Sequence, residues 1–199
     1  MHIGIIGAGG IGQAFAAQAV KAGYDVVLSN SRGPESLAAV VSRMGPRATA
    51  GTRETAAQAS MVLLAVTWNQ VESALAGLPP WNGRILVDAT NPILMPGVRP
   101  ADLGNRSSSE VVASLAKGAR VVKVANNLTP EQLAADPVQA GGHRVLFMSG
   151  DDAAAKADVS GVLTKAGFAI VDLGSLAIGS RLQQFPGGPF PGLNLIKLD

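Results

Sequence analysis

The chain has 199 residues, of which 47% are hydrophobic and 15% charged, and its formal net charge is +2. This composition indicates a globular chain long enough to bury a core and excludes a disordered one. With no cysteine and only two histidines, the chain also excludes disulfides, thiolate catalysis and a cysteine- or histidine-rich metal site, so we expect no metal.

The expected partners and location follow from the same data. The basic residues are scattered instead of forming a stripe, so we expect no nucleic acid partner. No apolar run reaches the roughly 18 residues of a membrane span, and we see no signal peptide pattern. We therefore expect a cytoplasmic protein without a membrane partner.

Apolar runs alternate with helical patterns through the first half of the chain. We predict strands at His2–Ile6, Asp25–Ser29, Ala48–Ala50, Met61–Val66 and Arg84–Asp88. We predict helices at Gly10–Ala22, Pro34–Arg43, Thr52–Gln58 and Val71–Ala76.

The second half begins with a predicted loop, Ala89–Ser107, and the alternation then resumes. We predict a helix at Ser109–Ala116, a strand at Arg120–Val124, a short helix after Pro130, a strand at Val145–Met148, a helix at Asp151–Lys165 and a strand at Phe168–Val171. We expect the remainder to be loop-like, ending in the Pro/Gly-rich stretch 185–192.

Strands that alternate with helices predict a parallel sheet covered by helices on both faces. The predicted fold class is α/β, a doubly wound, mainly parallel sheet of the NAD(P)-binding Rossmann type with the first strand central. We expect one NADP-binding domain over residues 1–199, with 1–125 as its core and 126–199 as a small C-terminal extension.

The first turn carries the motif G-x-G-x-x-G between a predicted strand and a predicted helix, the context that this motif requires. The motif consists of Gly7, Ala8, Gly9, Gly10, Ile11 and Gly12. Gly7 permits the tight turn, Gly9 lets the backbone approach a pyrophosphate, and Gly12 lets the helix pack on the strand. The motif predicts dinucleotide binding; the alternative is a glycine-rich turn that binds nothing.

The end of the second strand indicates which dinucleotide binds. An NAD site usually has a carboxylate there for the ribose 2′-hydroxyl, whereas this chain has Asn30, Ser31 and Arg32. A planar cation with two neutral donors fits a 2′-phosphate, so we predict NADP, most readily as NADPH. The alternative is that Arg32 is a solvated loop residue.

Three later strand ends supply the rest of the predicted cleft, because ligands of such sheets lie at the carboxyl ends of the strands. For the cofactor we add Ala65, Val66, Thr67, Asn91 and Pro92, and for the second substrate we nominate Trp68, Asn91, Ala125 and Asn126. Each has a structural alternative: Trp68 as a core residue, Asn91–Pro92 as a turn, and Asn126–Asn127 as a strand cap.

No acid–base pair is evident at this edge, and we can name no catalytic residue. The only tyrosine, Tyr24, lacks the lysine partner of short-chain dehydrogenases, and Lys123 lies within a strand. A flavin or deazaflavin spreads the charge of an accepted hydride over its own ring, so the protein mainly has to orient two rings. We therefore favour a flavin-like acceptor; the alternatives are a non-catalytic NADP sensor and a reductase of a small carbonyl or imine.

The whole chain resembles the coenzyme F420-dependent NADP oxidoreductase family, whose Rossmann module also occurs in STEAP-type metalloreductases. The resemblance rests on the motifs at 3–12, 30–32, 62–66, 87–92, 121–126, 149–152, 171–174 and 180–182. It implies hydride exchange between NADP and a reduced or oxidised deazaflavin such as coenzyme F420, a 2′-phosphate role for Ser31 and Arg32, and a homodimer. This chain departs from the family pattern at Asn126, where archaeal enzymes have histidine, and at Ala125, where many bacterial relatives have an aromatic residue.

Overall fold

The computed structural model describes residues 1–199, which form twelve strands and eight α-helices. The strands are β1 His2–Ile6, β2 Asp25–Ser29, β3 Ala48–Ala50, β4 Met61–Leu64, β5 Ile85–Asp88, β6 Ile93–Leu94, β7 Arg99–Pro100, β8 Arg120–Lys123, β9 Val138–Gln139, β10 Gly142–Gly150, β11 Ala169–Asp172 and β12 Ile196–Leu198. The helices are α1 Gly10–Lys21, α2 Ala38–Met44, α3 Arg53–Ala56, α4 Val71–Leu75, α5 Ser108–Leu115, α6 Pro130–Ala134, α7 Ala153–Lys165 and α8 Leu176–Leu182. None of these helices is both long and apolar enough to cross a membrane.

One sheet organises the molecule, in the order β11-β10-β8-β5-β4-β1-β2-β3. All neighbours from β8 to β3 are parallel, β10 is antiparallel to β8, and β9 and β12 pair with the outer part of β10. The first strand lies inside the sheet, between β2 and β4. The predicted doubly wound, mainly parallel α/β fold is therefore confirmed.

The register of the parallel strands sets the position of the cleft. Ile6 pairs with Ser29 on one side and with Leu64 on the other, Leu64 pairs with Asp88, and Asp88 pairs with Lys123. These five residues form one row across the sheet, and the chain leaves each of the five strands at or just beyond it. The loops that follow this row therefore share one edge.

The core lies on both faces of the sheet because successive strand residues point to opposite sides. In β4, Met61 and Leu63 pack on the face that α1 and α7 cover, while Val62 and Leu64 pack on the face of α3, α4 and α5. All four are fully buried. Strands buried on both faces are expected to be continuous apolar runs, as this one is.

The C-terminal remainder differs from the loop-like prediction. It contains helix α8, which Ser175 caps through a hydrogen bond from the Ile178 amide, and the edge strand β12. Gly179 lies within α8, and a Cβ atom there would be 2.6 Å from that of Ser149. Gly179 therefore permits close packing of the helix on the sheet instead of breaking the chain into a loop. The predicted loop 89–107 also contains a short hairpin, β6–β7.

Candidate functional site

A cavity of about 820 Å³ opens at the carboxyl ends of β1, β2 and β4. It is bounded by the loops that follow these strands and by the start of α3. Its lining residues are Ile6–Gly9, Ser29–Pro34, Thr52–Glu54, Ala65–Thr67, Gln70, Ser73 and Ala74. Two arginines and one carboxylate lie among them, so the nucleotide end of the cleft carries a net positive charge.

The three motif glycines have three different surroundings. Gly7 has φ +106°, and a Cβ there would lie 2.3 Å from the Ala65 carbonyl oxygen. A Cβ on Gly12 would lie 1.9 Å from the Gly7 carbonyl oxygen, so Gly12 permits helix–strand packing. Gly9 has φ −75°, and a Cβ there would meet no protein atom within 4 Å. The approach to the Gly9 backbone is therefore open, as close contact with a pyrophosphate requires.

Gly9 is also the N-cap of α1 and provides no side-chain cap for the helix. The first amide groups of a helix have no intrahelical partner, and together with the helix dipole they attract phosphate. A ligand that approaches the open side of Gly9 therefore meets the unpaired N–H groups at the start of α1.

The turn after β2 presents Ser31 and Arg32 to the cavity, and both are exposed. Asn30 shapes this turn: its Oδ1 accepts from the Arg32 amide at 2.9 Å and from Ser36 Oγ at 3.2 Å. Its Nδ2 donates to Ser36 Oγ at 2.9 Å. The amide of Asn30 is therefore used within the turn, while the guanidinium of Arg32 has no protein partner.

A second arginine, Arg53, lines the same cavity and was missed in the sequence. It starts α3, and its Nη2 contacts Glu54 Oε1 at 3.0 Å while its Nη1 donates to the Ser73 carbonyl. The pKa of the Glu54 carboxyl is lowered, mainly by a hydrogen bond from the backbone amide of Glu54 itself and next by the hydrogen bond from Arg53. Arg53 follows β3, and the pairing of β3 with β2, which brings Arg53 to this cavity, is a property of the sheet order.

The far side of the cleft contains a clasp between the ends of β5 and β8. Asn126 Nδ2 donates to Asn91 Oδ1 at 2.9 Å, and Asn91 Nδ2 donates to the Asn126 carbonyl oxygen at 2.9 Å. Asn126 Nδ2 also donates to the Gln183 carbonyl oxygen at 2.6 Å. The structure thus brings together the two asparagines nominated for the second substrate, and it uses most of their hydrogen-bonding capacity on each other.

The two other nominated acceptor residues lie in different surroundings. Trp68 begins a 3-10 helix and is half-buried against the core on the α4 side. Ala125 is fully buried in the opposite core layer and has φ +64°. Of the predicted cofactor and acceptor residues, the cavity reaches Gly7, Ala8, Gly9, Asn30, Ser31, Arg32, Ala65, Val66 and Thr67, but not Gly10, Ile11, Gly12, Trp68, Asn91, Pro92, Ala125 or Asn126.

A buried ion pair lies directly beneath the clasp. Lys123 Nζ is 3.2 Å from Asp88 Oδ2 and donates to the Thr90 carbonyl oxygen at 2.8 Å, and both charged side chains have no exposed surface. Asp88 also accepts from the Thr90 amide at 2.9 Å, from Thr90 Oγ1 at 2.7 Å and from Ser109 Oγ at 2.5 Å. Burial lowers the pKa of Lys123, and the Asp88 carboxylate opposes that shift. The pair fixes the Asp88–Asn91 turn.

The segment 185–192, which we call the strap, crosses this edge without forming a helix or a strand. The Phe185 amide donates to Asn91 Oδ1 at 3.0 Å, and the Gly192 amide donates to the Asn127 carbonyl oxygen at 2.9 Å. Between them the Phe190 ring stacks on Phe147, with 4.6 Å between the centroids. The Pro/Gly-rich tail therefore covers the acceptor side of the cleft.

Comparisons with known proteins agree with this geometry. Residues 2–92 match the family described as NADP oxidoreductase coenzyme F420-dependent. The chain is 30% identical over 185 residues to metalloreductase STEAP3 of Rattus norvegicus, an alignment that covers 92% of this chain and 36% of that protein. The chain thus spans about a third of the length of this curated relative.

Two solved structures extend the likeness to nearly the whole chain. A hypothetical protein of Sinorhizobium meliloti is 43% identical with a TM-score of 0.93, covering 99% of this chain and 95% of the other. A proposed F420-dependent NADP-reductase of Arthrobacter sp. FB24 is 28% identical with a TM-score of 0.75, covering 87% and 84%.

The fold and the glycine loop define a Rossmann-type domain of the kind found in NADP-dependent oxidoreductases. Over residues 2–92 the chain matches the coenzyme F420-dependent NADP oxidoreductase family, and its likeness to the Arthrobacter and rat proteins agrees with that match. The resemblance predicted from the sequence is confirmed.

Proposed function

We propose that the protein transfers hydride between NADPH and a flavin- or deazaflavin-like carrier. The observation that carries the proposal is the cavity beside Gly9, where a bare backbone and unpaired helix amides adjoin the free guanidinium of Arg32. This arrangement supplies separate anion sites for a pyrophosphate and a 2′-phosphate.

The proposed orientation of NADPH follows from these two anion sites. The 2′-phosphate contacts Ser31 and Arg32, with Arg53 within the same cavity, and the pyrophosphate lies on the amino end of α1. The remaining half of the dinucleotide then extends past Ala65–Thr67 towards the clasp of Asn91 and Asn126. The two ends of the cleft thereby separate nucleotide binding from the chemistry.

When bound, NADPH supplies a hydride from its nicotinamide ring, so that NADPH, an oxidised carrier and one proton give NADP⁺ and the reduced carrier. No histidine, tyrosine, lysine or cysteine lines the cavity, and the amine of Lys123 is buried and engaged. The chain therefore binds and orients the two rings, and a carrier that delocalises its own charge suits such a site. We expect the rate to change little between about pH 6 and 8, because no unperturbed side chain at the cleft titrates there.

The test measures NADPH oxidation at 340 nm with FMN, FAD, riboflavin, a deazaflavin and a set of quinones. The proposal expects saturable turnover with at least one flavin or deazaflavin, and slower turnover with NADH. If NADPH binds tightly but no acceptor supports its oxidation, the proposal is wrong and the non-catalytic sensor becomes the better account.

A further inference from the structure

Unmet hydrogen-bonding capacity is concentrated at one place in this fold. Seven buried side-chain nitrogen or oxygen atoms have no hydrogen-bond partner, and four of them belong to Asn126, Asn127 and Gln183. Asn127 contributes both its Oδ1 and its Nδ2, although the residue is only 3% exposed. A buried polar group without a partner is costly, and such groups are few in native proteins.

These unpaired atoms lie at one edge of the cleft. Asn126 and Asn127 follow β8, next to the carboxyl end of β5, on the side of the cleft where the proposed function puts the acceptor. Asn126 Nδ2 is already bonded to Asn91 and Gln183, so only its Oδ1 is free. Buried polar atoms without hydrogen-bond partners are expected at functional sites, where a bound ligand supplies the missing hydrogen bonds.

We propose that Asn127, supported by Asn126, recognises the polar edge of the acceptor, and that this edge is an imide with one N–H between two carbonyl groups. An asparagine amide offers one donor and one acceptor side by side, which match the carbonyl and N–H of an imide. Flavins and deazaflavins present such an edge, whereas simple quinones have carbonyls without the N–H. The inference rests on the proposed function. It adds the residue that recognises the acceptor and the chemical group that is recognised.

The strap lies beside the proposed contact. It is held at this edge by the amides of Phe185 and Gly192 and by the stacked pair of Phe147 and Phe190. The Gly192 amide bonds to the backbone of Asn127 and leaves its side chain without a partner. The strap thus contacts the backbone of Asn127 without satisfying its side-chain amide.

The experiment compares riboflavin with N3-methylriboflavin, which keeps the ring and both carbonyls but lacks the N–H. Wild type should favour riboflavin by about tenfold in kcat/KM, the range expected for one or two neutral hydrogen bonds. Asn127→Leu should lose that preference, while its affinity for NADPH stays within twofold of wild type. Asn105→Leu makes the same change in an exposed loop and should behave as wild type.

A binding measurement that requires no turnover tests this inference separately from the proposed function. Quenching of riboflavin fluorescence in the presence of NADP⁺ should show weaker binding to Asn127→Leu than to wild type, whether or not the flavin is reduced. If wild type does not discriminate between the two flavins, the inference is wrong, and that comparison requires no variant to fold. An Asn127→Leu variant that folds and keeps the wild-type preference for riboflavin would equally overturn it.

Discussion

Replacing Lys123 by methionine should destabilise the fold far more than neutralising both members of its ion pair. Lys123 and Asp88 are fully buried, and the substitution leaves the Asp88 carboxylate in the interior without its cation. Breaking one side of a buried pair costs about 3–5 kcal/mol. The hydrogen bonds from Thr90 and Ser109 remain, so we expect the lower half of that range.

The double variant Asp88→Asn, Lys123→Met tests the reasoning. Asn at position 88 can still accept from the Thr90 amide and can donate to Ser109, and no buried charge remains. The Thr90 carbonyl loses its donor, a loss of roughly 1 kcal/mol. We therefore expect the double variant to recover more than half of the stability that Lys123→Met alone loses, because the penalty comes from the unpaired charge.

Urea unfolding of wild type, both single variants and the double variant gives the coupling energy directly. A coupling of at least about 1.5 kcal/mol in the stabilising direction is expected for residues in one buried network. Additive losses, or a loss below about 1 kcal/mol for Lys123→Met, would refute the description of a charged pair in the interior.

Three further predictions concern the nucleotide end and acid stability. Arg32→Ala should erase most of the preference for NADPH over NADH, about tenfold from one charge-assisted contact, and leave NADH affinity unchanged in titrations of both cofactors. Gly9→Ala should weaken NADPH binding with only a small loss of stability at this N-cap, whereas Gly12→Ala, whose Cβ would lie 1.9 Å from a backbone oxygen, should lower the melting temperature much more. A backbone hydrogen bond from Ala155 lowers the pKa of Asp152, so its stabilising effect is present above the unfolded value of 3.8 and is lost as the pH falls through the folded value. Asp152→Asn should therefore lose less stability than wild type on acidification, as followed by thermal melts at pH 5 and pH 3.

Much of the fold could be predicted because the parallel strands are short apolar runs between clear turn signals. β1, β2 and β3 begin and end where predicted, and most helix boundaries agree within about two residues. The C-terminal part could not be predicted in this way. Helix α8 contains Gly179 for a tertiary reason, its contact with Ser149, and β12 exists only because it pairs with β10. Neither cause is local in sequence.

On the nucleotide side, a fixed motif and a strand end predict Gly7–Gly12 and Arg32, and of these Gly7, Ala8, Gly9 and Arg32 line the cavity. Arg53 was missed because the neighbour of β2 depends on sheet order. The acceptor side depends on contacts between residues 35 to 94 positions apart, such as Asn91 with Asn126 and with Phe185. Side chains that hold each other across strands cannot be told from ligand-binding ones by their type alone.

The central claim is hydride transfer from NADPH to a flavin-like ring, and isotope transfer tests it most directly. The protein is incubated with NADPH carrying two deuterium atoms at the nicotinamide C4 and with a 5-deazaflavin, whose reduced C5 does not exchange hydrogen with water. Mass spectrometry of the reduced deazaflavin should then show one retained deuterium, and NADP⁺ should form in equal amount. Absence of reduction, or a reduced ring that carries only solvent hydrogen, would contradict the account.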